Sequence, residues 1–235
     1  ADPVVGTTRI NAGISYVIFG RSKAVDLAAS YANIDLLPLN TAGSPLGFAI
    51  LGAMTGDISG RSVSAAGDVN GDGVGDVIVG AFQAAPVVGG ATRTYAGVSY
   101  VIFGRNKAVN LAASYANIDL LPLNTVASSL GFAILGAKSS DNSGNSVAAA
   151  GDVNGDGIGD FIVGAYNADP VVGGATRSNA GISYVVFGRS YAVQSNIDLA
   201  TFTGTWTPLG FRVVGGIPND RSGDSVSRAG DVNQD

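Results

Sequence analysis

Oxygen-bearing side chains recur at alternate positions from Asp68. Asp68, Asn70 and Asp72 precede Gly73, and Asp76 closes the set just before the apolar run VIVGA. Oxygen donors at positions 1, 3, 5 and 9 of a short loop, with glycine at 6, are what a calcium ion requires. The backbone carbonyl expected at position 7 belongs to Val74. An EF-hand is excluded, because that loop needs a bidentate Glu at position 12 and a helix on each side. Position 12 here is Val79, and the sequence contains no glutamate. The flanks SVSAAG and DVIVGAF read as strands, so the loop sits at the tip of a β-hairpin. A turn rich in Asp, Asn and Gly for backbone reasons alone is the competing reading.

Repetition favours the metal. Asp152 to Asp160 reads DVNGDGIGD, 84 residues after the first copy, and Asp231 to Asp235 reads DVNQD, a further 79 residues on. The register of 84 also relates Gly13, Gly97 and Gly181, each opening a segment such as GVSYVIFGR. Internal repeats decide the fold and must be recognised first.

Composition narrows the function. Histidine and cysteine are both absent, which removes the commonest general base, the commonest transition-metal ligand and any disulfide framework. No Ser stands in a GxSxG nucleophile motif. The net charge of −5, with no basic run, disfavours a nucleic-acid partner. No stretch approaches the ~18 apolar residues of a membrane span. All 18 acids are Asp, and eight of them fall in the three loops. Such loops repel themselves unless a cation is bound.

The elements that position these loops follow from the repeat. Residues 1–12 match 168–180 with one residue fewer, so the chain begins inside a unit. Gly13–Arg21 is a strand, aromatic and β-branched throughout. A long connection follows, with a helical turn expected at Leu27–Tyr31 and a short strand at Ile34–Leu37. Gly47–Ala53, Ser62–Ala66 and Val77–Phe82 are the next strands, the last two bracketing the loop. The expected units are 1–61 (partial), 62–145, 146–224 and 225–235 (partial). Four strands per unit suggest all-β propeller blades of antiparallel strands, an arc of about three units within a larger ring. Small residues make SVSAAG and SVAAAG the crowded innermost strand A. VIVGA and SYVIFG are then B and C, and GFAILGA is the outer strand D. No useful helical period exists, which argues against an α-solenoid.

The motif SVxAAGDVNGDGxGDxIVGA followed by GxSYVxFG resembles the FG-GAP repeats of the integrin α-subunit propeller and of many bacterial surface proteins. The first FG of that family is Ser59-Gly60, Ser143-Gly144 and Ser222-Gly223 here, and the proline of GAP is Phe82 or Tyr166. The resemblance implies a calcium-stabilised propeller of about seven blades. It implies calcium ligands Asp68, Asn70, Asp72, Val74 (carbonyl) and Asp76, and a second set, Asp152, Asn154, Asp156, Ile158 (carbonyl) and Asp160. The third site has Asp231, Asn233 and Asp235, with Gln234 where the others have Gly.

The expected function is a non-catalytic, calcium-stabilised extracellular or cell-surface module for adhesion or partner recognition. An accessory propeller of a larger secreted hydrolase and a structural unit of an extracellular assembly are the alternatives. Antiparallel alternation puts the calcium loops on the face of the C–D connections. The opposite face carries residues 83–97 and 167–181 and the turns at 57–60, 141–144 and 220–223. A protein or glycan ligand is expected there, with Arg93, Arg177 and Tyr95 as contacts unless GGATR is simply a solvated loop. The arc is not expected to close alone. It would expose Val77–Phe82 and Gly181–Gly188 at its ends and take further blades from the same or another chain.

Overall fold

The computed structural model describes residues 2–20, 34–40, 44, 46–105, 116–125, 128–190, 194–204 and 206–230. Among them there is no α-helix, and no helix is long and apolar enough to cross a membrane. The partial first unit contributes β1 (Val4–Val5), β2 (Thr7–Thr8), β3 (Ile14–Ile18) and β4 (Gly47–Leu51). The second contributes β5 (Ser59–Gly67), β6 (Asp76–Ala81), β7 (Val87–Val88), β8 (Ala91–Thr92), β9 (Val98–Ile102), β10 (Ile118–Asp119) and β11 (Gly131–Leu135). The third contributes β12 (Ser146–Gly151), β13 (Asp160–Ala165), β14 (Val171–Val172), β15 (Ala175–Thr176), β16 (Ile182–Val186), β17 (Ile197–Asp198) and β18 (Gly210–Val214).

Each full unit is one antiparallel sheet in chain order. The second runs β5-β6-β9-β11 and the third β12-β13-β16-β18, while β3 and β4 form the corresponding outer pair of the first. The A-to-D order expected from strand chemistry is therefore the observed one. The innermost strands run side by side through serine: Ser62 Oγ accepts from Val147 N at 3.0 Å, and Ser146 Oγ accepts from Val226 N at 3.0 Å. Small residues suit that approach.

The cores lie between sheets, as two-sided burial of strands B and C requires. One holds Ile50, Val79, Tyr100, Ile102, Leu120 and Leu123, joining the first two units. The other holds Val101, Phe132, Ile134, Phe161, Val163 and Tyr184, joining the second and third. Phe103, Phe132 and Phe161 step across that seam with ring centroids 5.9 and 6.2 Å apart. Backbones approach equally closely nearer the axis. A Cβ on Gly80 would lie 2.0 Å from the Gly144 carbonyl oxygen, so only glycine fits.

Three expectations are corrected or fall outside this description. Val77–Phe82 and Gly181–Gly188 are buried or half-buried, because neighbouring sheets cover them. Leu37 does not end a strand; it opens a 3-10 turn, Leu37–Asn40, whose Pro38 favours a turn over a strand. The helical turn at Leu27–Tyr31 lies outside the described residues.

The sheets of the first and second units each gain a strand that the four-strand reading lacked. β10 pairs parallel with β4 (Ile118 opposite Ile50), and β17 pairs parallel with β11 (Ile197 opposite Ile134). The outer edge of each of these two blades is thus capped by an Ile-Asp dipeptide from the following unit.

Candidate functional site

The loop between β5 and β6 is closed by its own acids. Asp68 accepts from Asp72 N through Oδ1 at 3.0 Å and from Gly73 N through Oδ2 at 2.8 Å. Asn70 Oδ1 accepts from Asp72 N at 3.0 Å, its Nδ2 donates to Asp72 Oδ2 at 2.9 Å, and Asp72 Oδ1 accepts from Val74 N at 2.8 Å. Side-chain oxygens taking amides two or more residues ahead are how Asp and Asn build turns. Gly73 at position 6 has φ +84°, the left-handed region that its place in the turn demands.

The second loop, between β12 and β13, is wired alike. Asp152 accepts from Gly155, Asp156 and Gly157 amides at 2.8, 3.0 and 2.8 Å. Asn154 Oδ1 accepts from Asp156 N at 3.1 Å, its Nδ2 donates to Asp156 Oδ2 at 2.9 Å, and Asp156 Oδ1 accepts from Ile158 N at 2.8 Å.

The ninth position behaves differently. Asp76 is 2 % exposed, and both oxygens hold framework amides: Oδ2 accepts from Val69 N at 2.9 Å and Oδ1 from Gly104 N at 2.7 Å. Asp160 repeats this with Val153 N at 2.7 Å and Gly188 N at 2.9 Å. Each therefore ties the start of the loop to the end of strand C. Burial pushes the Asp76 carboxyl up to about 6; the two amides oppose this, and the charges of Asp72 and Asp68 add to it. The Asp160 carboxyl is raised chiefly by burial as well.

The donor set fits a hard divalent cation: every side-chain donor is oxygen, and each carboxylate has lone pairs beyond those its amides occupy. Among the described residues no three acidic side chains gather into a metal-holding group. The loops are shaped by Asp-to-amide bonds, which bring Asp68, Asn70 and Asp72 into one turn and set Asp76 into the framework. Asp152, Asn154, Asp156 and Asp160 are divided in the same way. The third set, Asp231, Asn233 and Asp235, lies outside the described residues.

Sequence reasoning missed a second constellation, on the outer edge. Arg9 donates to the Gly52 carbonyl at 2.9 Å and forms a two-pronged pair with Asp119 at 2.6 and 2.9 Å. Arg93 does the same with Gly136 O at 2.9 Å and Asp198 at 2.6 and 2.9 Å. Burial raises the Asp119 and Asp198 carboxyls, but the guanidinium and a neighbouring amide override it and hold both below the usual range. Asn117 and Asn196 complete the joint by accepting from Ala49 N and Ala133 N at 2.9 Å. Arg93 is therefore not a free contact for a partner. It belongs to a joint between units. The signal was available in the register: Arg9, Arg93 and Arg177 recur with Asp35, Asp119 and Asp198.

Stacked, open, four-stranded antiparallel sheets with their innermost strands side by side are propeller blades. Residues 143–186, from the turn before β12 through the loop and β13 to the end of β16, match the FG-GAP repeat. The chain thus carries an FG-GAP repeat there, and residues 59–102 present the same motif 84 residues earlier. No curated protein sequence matches the chain.

Proposed function

We propose that this chain is a calcium-stabilised, non-catalytic propeller module that acts outside cells in adhesion or partner recognition. The observation that carries the reading is the pair of similarly wired oxygen loops. Each loop gathers three carboxylates within nine residues, and a bound cation would relieve their mutual repulsion. Asp68, Asn70, Asp72 and the Val74 carbonyl would hold one ion; Asp152, Asn154, Asp156 and the Ile158 carbonyl would hold the other. Asp76 and Asp160 complete each set and brace it. Calcium would supply positive charge and coordination geometry, and no reaction. The absence of His and Cys supports a binding role over catalysis. The opposite face suits recognition: the hairpins β7–β8 and β14–β15 project there, with Val87, Val171 and Tyr95 at least half exposed.

A melting series in rising free calcium tests this. A ligand that binds only the native state stabilises it by about 2.7 kcal/mol at a hundredfold excess over Kd. The melting temperature is expected to climb with calcium and fall in chelator, with Asp72→Ala and Asp156→Ala each removing part of the response. A melting curve indifferent to both calcium and chelator refutes the reading.

A further inference from the structure

The second and third units enclose a cavity of about 300 Å³ between them, beside the hairpin β14–β15. That is the small end of the range for ligand pockets, roughly 300–1,000 Å³. Its floor is apolar, with Ile182, Leu199 and Phe202 each at most 5 % exposed. Phe202 meets the Tyr184 ring edge-on, with 5.7 Å between centroids. Four charged side chains stand round the wall: Lys138, Asp141, Asp169 and Arg212. Among the described residues no ion pair joins them.

The same place between the first and second units is built from different residues. Met54, Ala85 and Ala133 hold the registers of Lys138, Asp169 and Arg212, and Leu121 and Asn124 hold those of Ala200 and Thr203. Three apolar side chains have thus given way to charged ones, and two larger side chains to smaller ones. All five changes line the one cavity. The tyrosines register the result. Tyr100 donates to Asn124 Oδ1 at 2.7 Å, whereas the hydroxyl of Tyr184, a residue 2 % exposed, has no partner among the described residues. Thr203 in place of Asn124 leaves that hydroxyl to the cavity.

The charged groups are held in place. Arg212 lies opposite Tyr184 in the β16–β18 register and donates to Thr203 O at 3.1 Å. Asp141 accepts from Lys138 N at 3.1 Å, and Asp169 accepts from Asn179 N at 2.6 Å. Each of these bonds occupies one carboxylate oxygen and leaves the other for a ligand.

We propose that this cavity binds a small zwitterion of the amino-acid class with an apolar side chain. Arg212 and Lys138 would take its carboxylate, and Asp141 and Asp169 its ammonium. The side chain would lie on Ile182, Leu199 and Phe202, and the Tyr184 hydroxyl would gain a partner. Charge complementarity selects this class. A simple anion leaves two carboxylates unanswered and a simple cation leaves two basic groups, whereas a molecule carrying both signs satisfies all four. The inference is independent of the calcium reading, and free calcium is held constant in every arm of the test.

Isothermal titration calorimetry of the purified chain with L-phenylalanine and L-leucine tests it. Saturable one-to-one binding is expected. 3-Phenylpropionate, which lacks the ammonium, and phenethylamine, which lacks the carboxylate, should each bind at least about tenfold more weakly than phenylalanine. Arg212→Ala, which installs the residue of the first seam, and Asp169→Asn should each weaken phenylalanine binding at least about tenfold. Tyr184→Phe should weaken it about threefold without lowering the melting temperature, since that hydroxyl has no partner to lose. Melting curves without ligand show that each variant is folded. No saturable binding of either amino acid at millimolar concentration overturns the proposal. So does equal affinity for either single-charge analogue, or binding that both Arg212→Ala and Asp169→Asn leave unchanged. The calcium response of the melting curve is read separately and stands or falls by itself.

Discussion

The loops Asp68–Asp76 and Asp152–Asp160 share most of their internal hydrogen bonds but not their surroundings. Val69 is fully buried, whereas Val153 is 46 % exposed, and Asn70 is buried where Asn154 is exposed. The cause is the following unit. Gly159 N donates to Asp68 O at 2.8 Å, Arg189 N to Val69 O at 2.9 Å, and Gln194 Nε2 reaches the same carbonyl at 3.4 Å. The first loop is walled in by the blade after it, while the described residues place no such wall against the second. The contrast separates two contributions. A loop's wiring comes from its own nine residues, and its rigidity comes from its neighbour.

Removing the brace should break the contrast most strongly. Asp76→Ala leaves the amides of Val69 and Gly104 without their acceptors, at about 1–3 kcal/mol each. A loss of about 3 kcal/mol is expected in urea unfolding. Asp160→Ala should cost less, because Val153 N can turn to solvent where Val69 N cannot. Equal losses would show that the wall contributes nothing.

Gln194→Ala tests the wall itself. Gln194 is 2 % exposed and also donates to Arg189 O at 2.8 Å. About 1–2 kcal/mol should be lost, and hydrogen exchange in 68–76 should accelerate toward the rate of 152–160. Unchanged exchange in the first loop would assign its protection elsewhere.

A related pair of turns predicts a pH effect. Burial pushes the Asp57 and Asp141 carboxyls up to about 6, against the backbone amides of Met54 and Lys138. The unfolded value is about 3.9, so the folded state binds more protons between about pH 4 and 6, and stability falls as pH rises through that window. Asp141→Asn keeps one acceptor and removes the ionisation. Its melting temperature relative to the parent should rise from pH 4 to pH 7, and a constant difference would contradict the assignment.

The smallest effect is expected where the same two turns differ in sequence. Ile58 has φ 51° and its counterpart Asn142 has φ 54°. A β-branched residue in the left-handed region is strained, whereas Asn visits it readily. Ile58→Asn should stabilise by about 1 kcal/mol, read as a raised urea midpoint at constant slope.

The loops and strand order were legible because their determinants are local: Asp at alternate positions, glycine at 6, apolar runs of blade-strand length. The joints were not. Arg93 and Asp198 lie 105 residues apart, and a two-residue strand such as Ile197–Asp198 is too short to leave a periodic trace. GGATR read as a solvated loop because its cation has no partner nearby in sequence. The hairpin β7–β8 was readable in principle, since Gly89 and Gly90, with φ 59° and 83°, are the residues a two-residue turn prefers. The bracing role of the ninth-position Asp was hidden in a different way. A carboxylate that braces two buried amides has the same sequence signature as one that faces a cation.

The joint also sets how the chain tolerates duplication and loss. Each unit supplies an Arg to its successor's Asp, so coupling is strictly nearest-neighbour, and stability should grow by one intrinsic term per unit and one interface term per junction. Excising an 84-residue period, residues 10–93 for example, returns Arg9 to face Asp198 across a junction like the one removed. Recombination between copies can therefore lengthen or shorten the array wherever the crossover falls in phase, without designing a new seam.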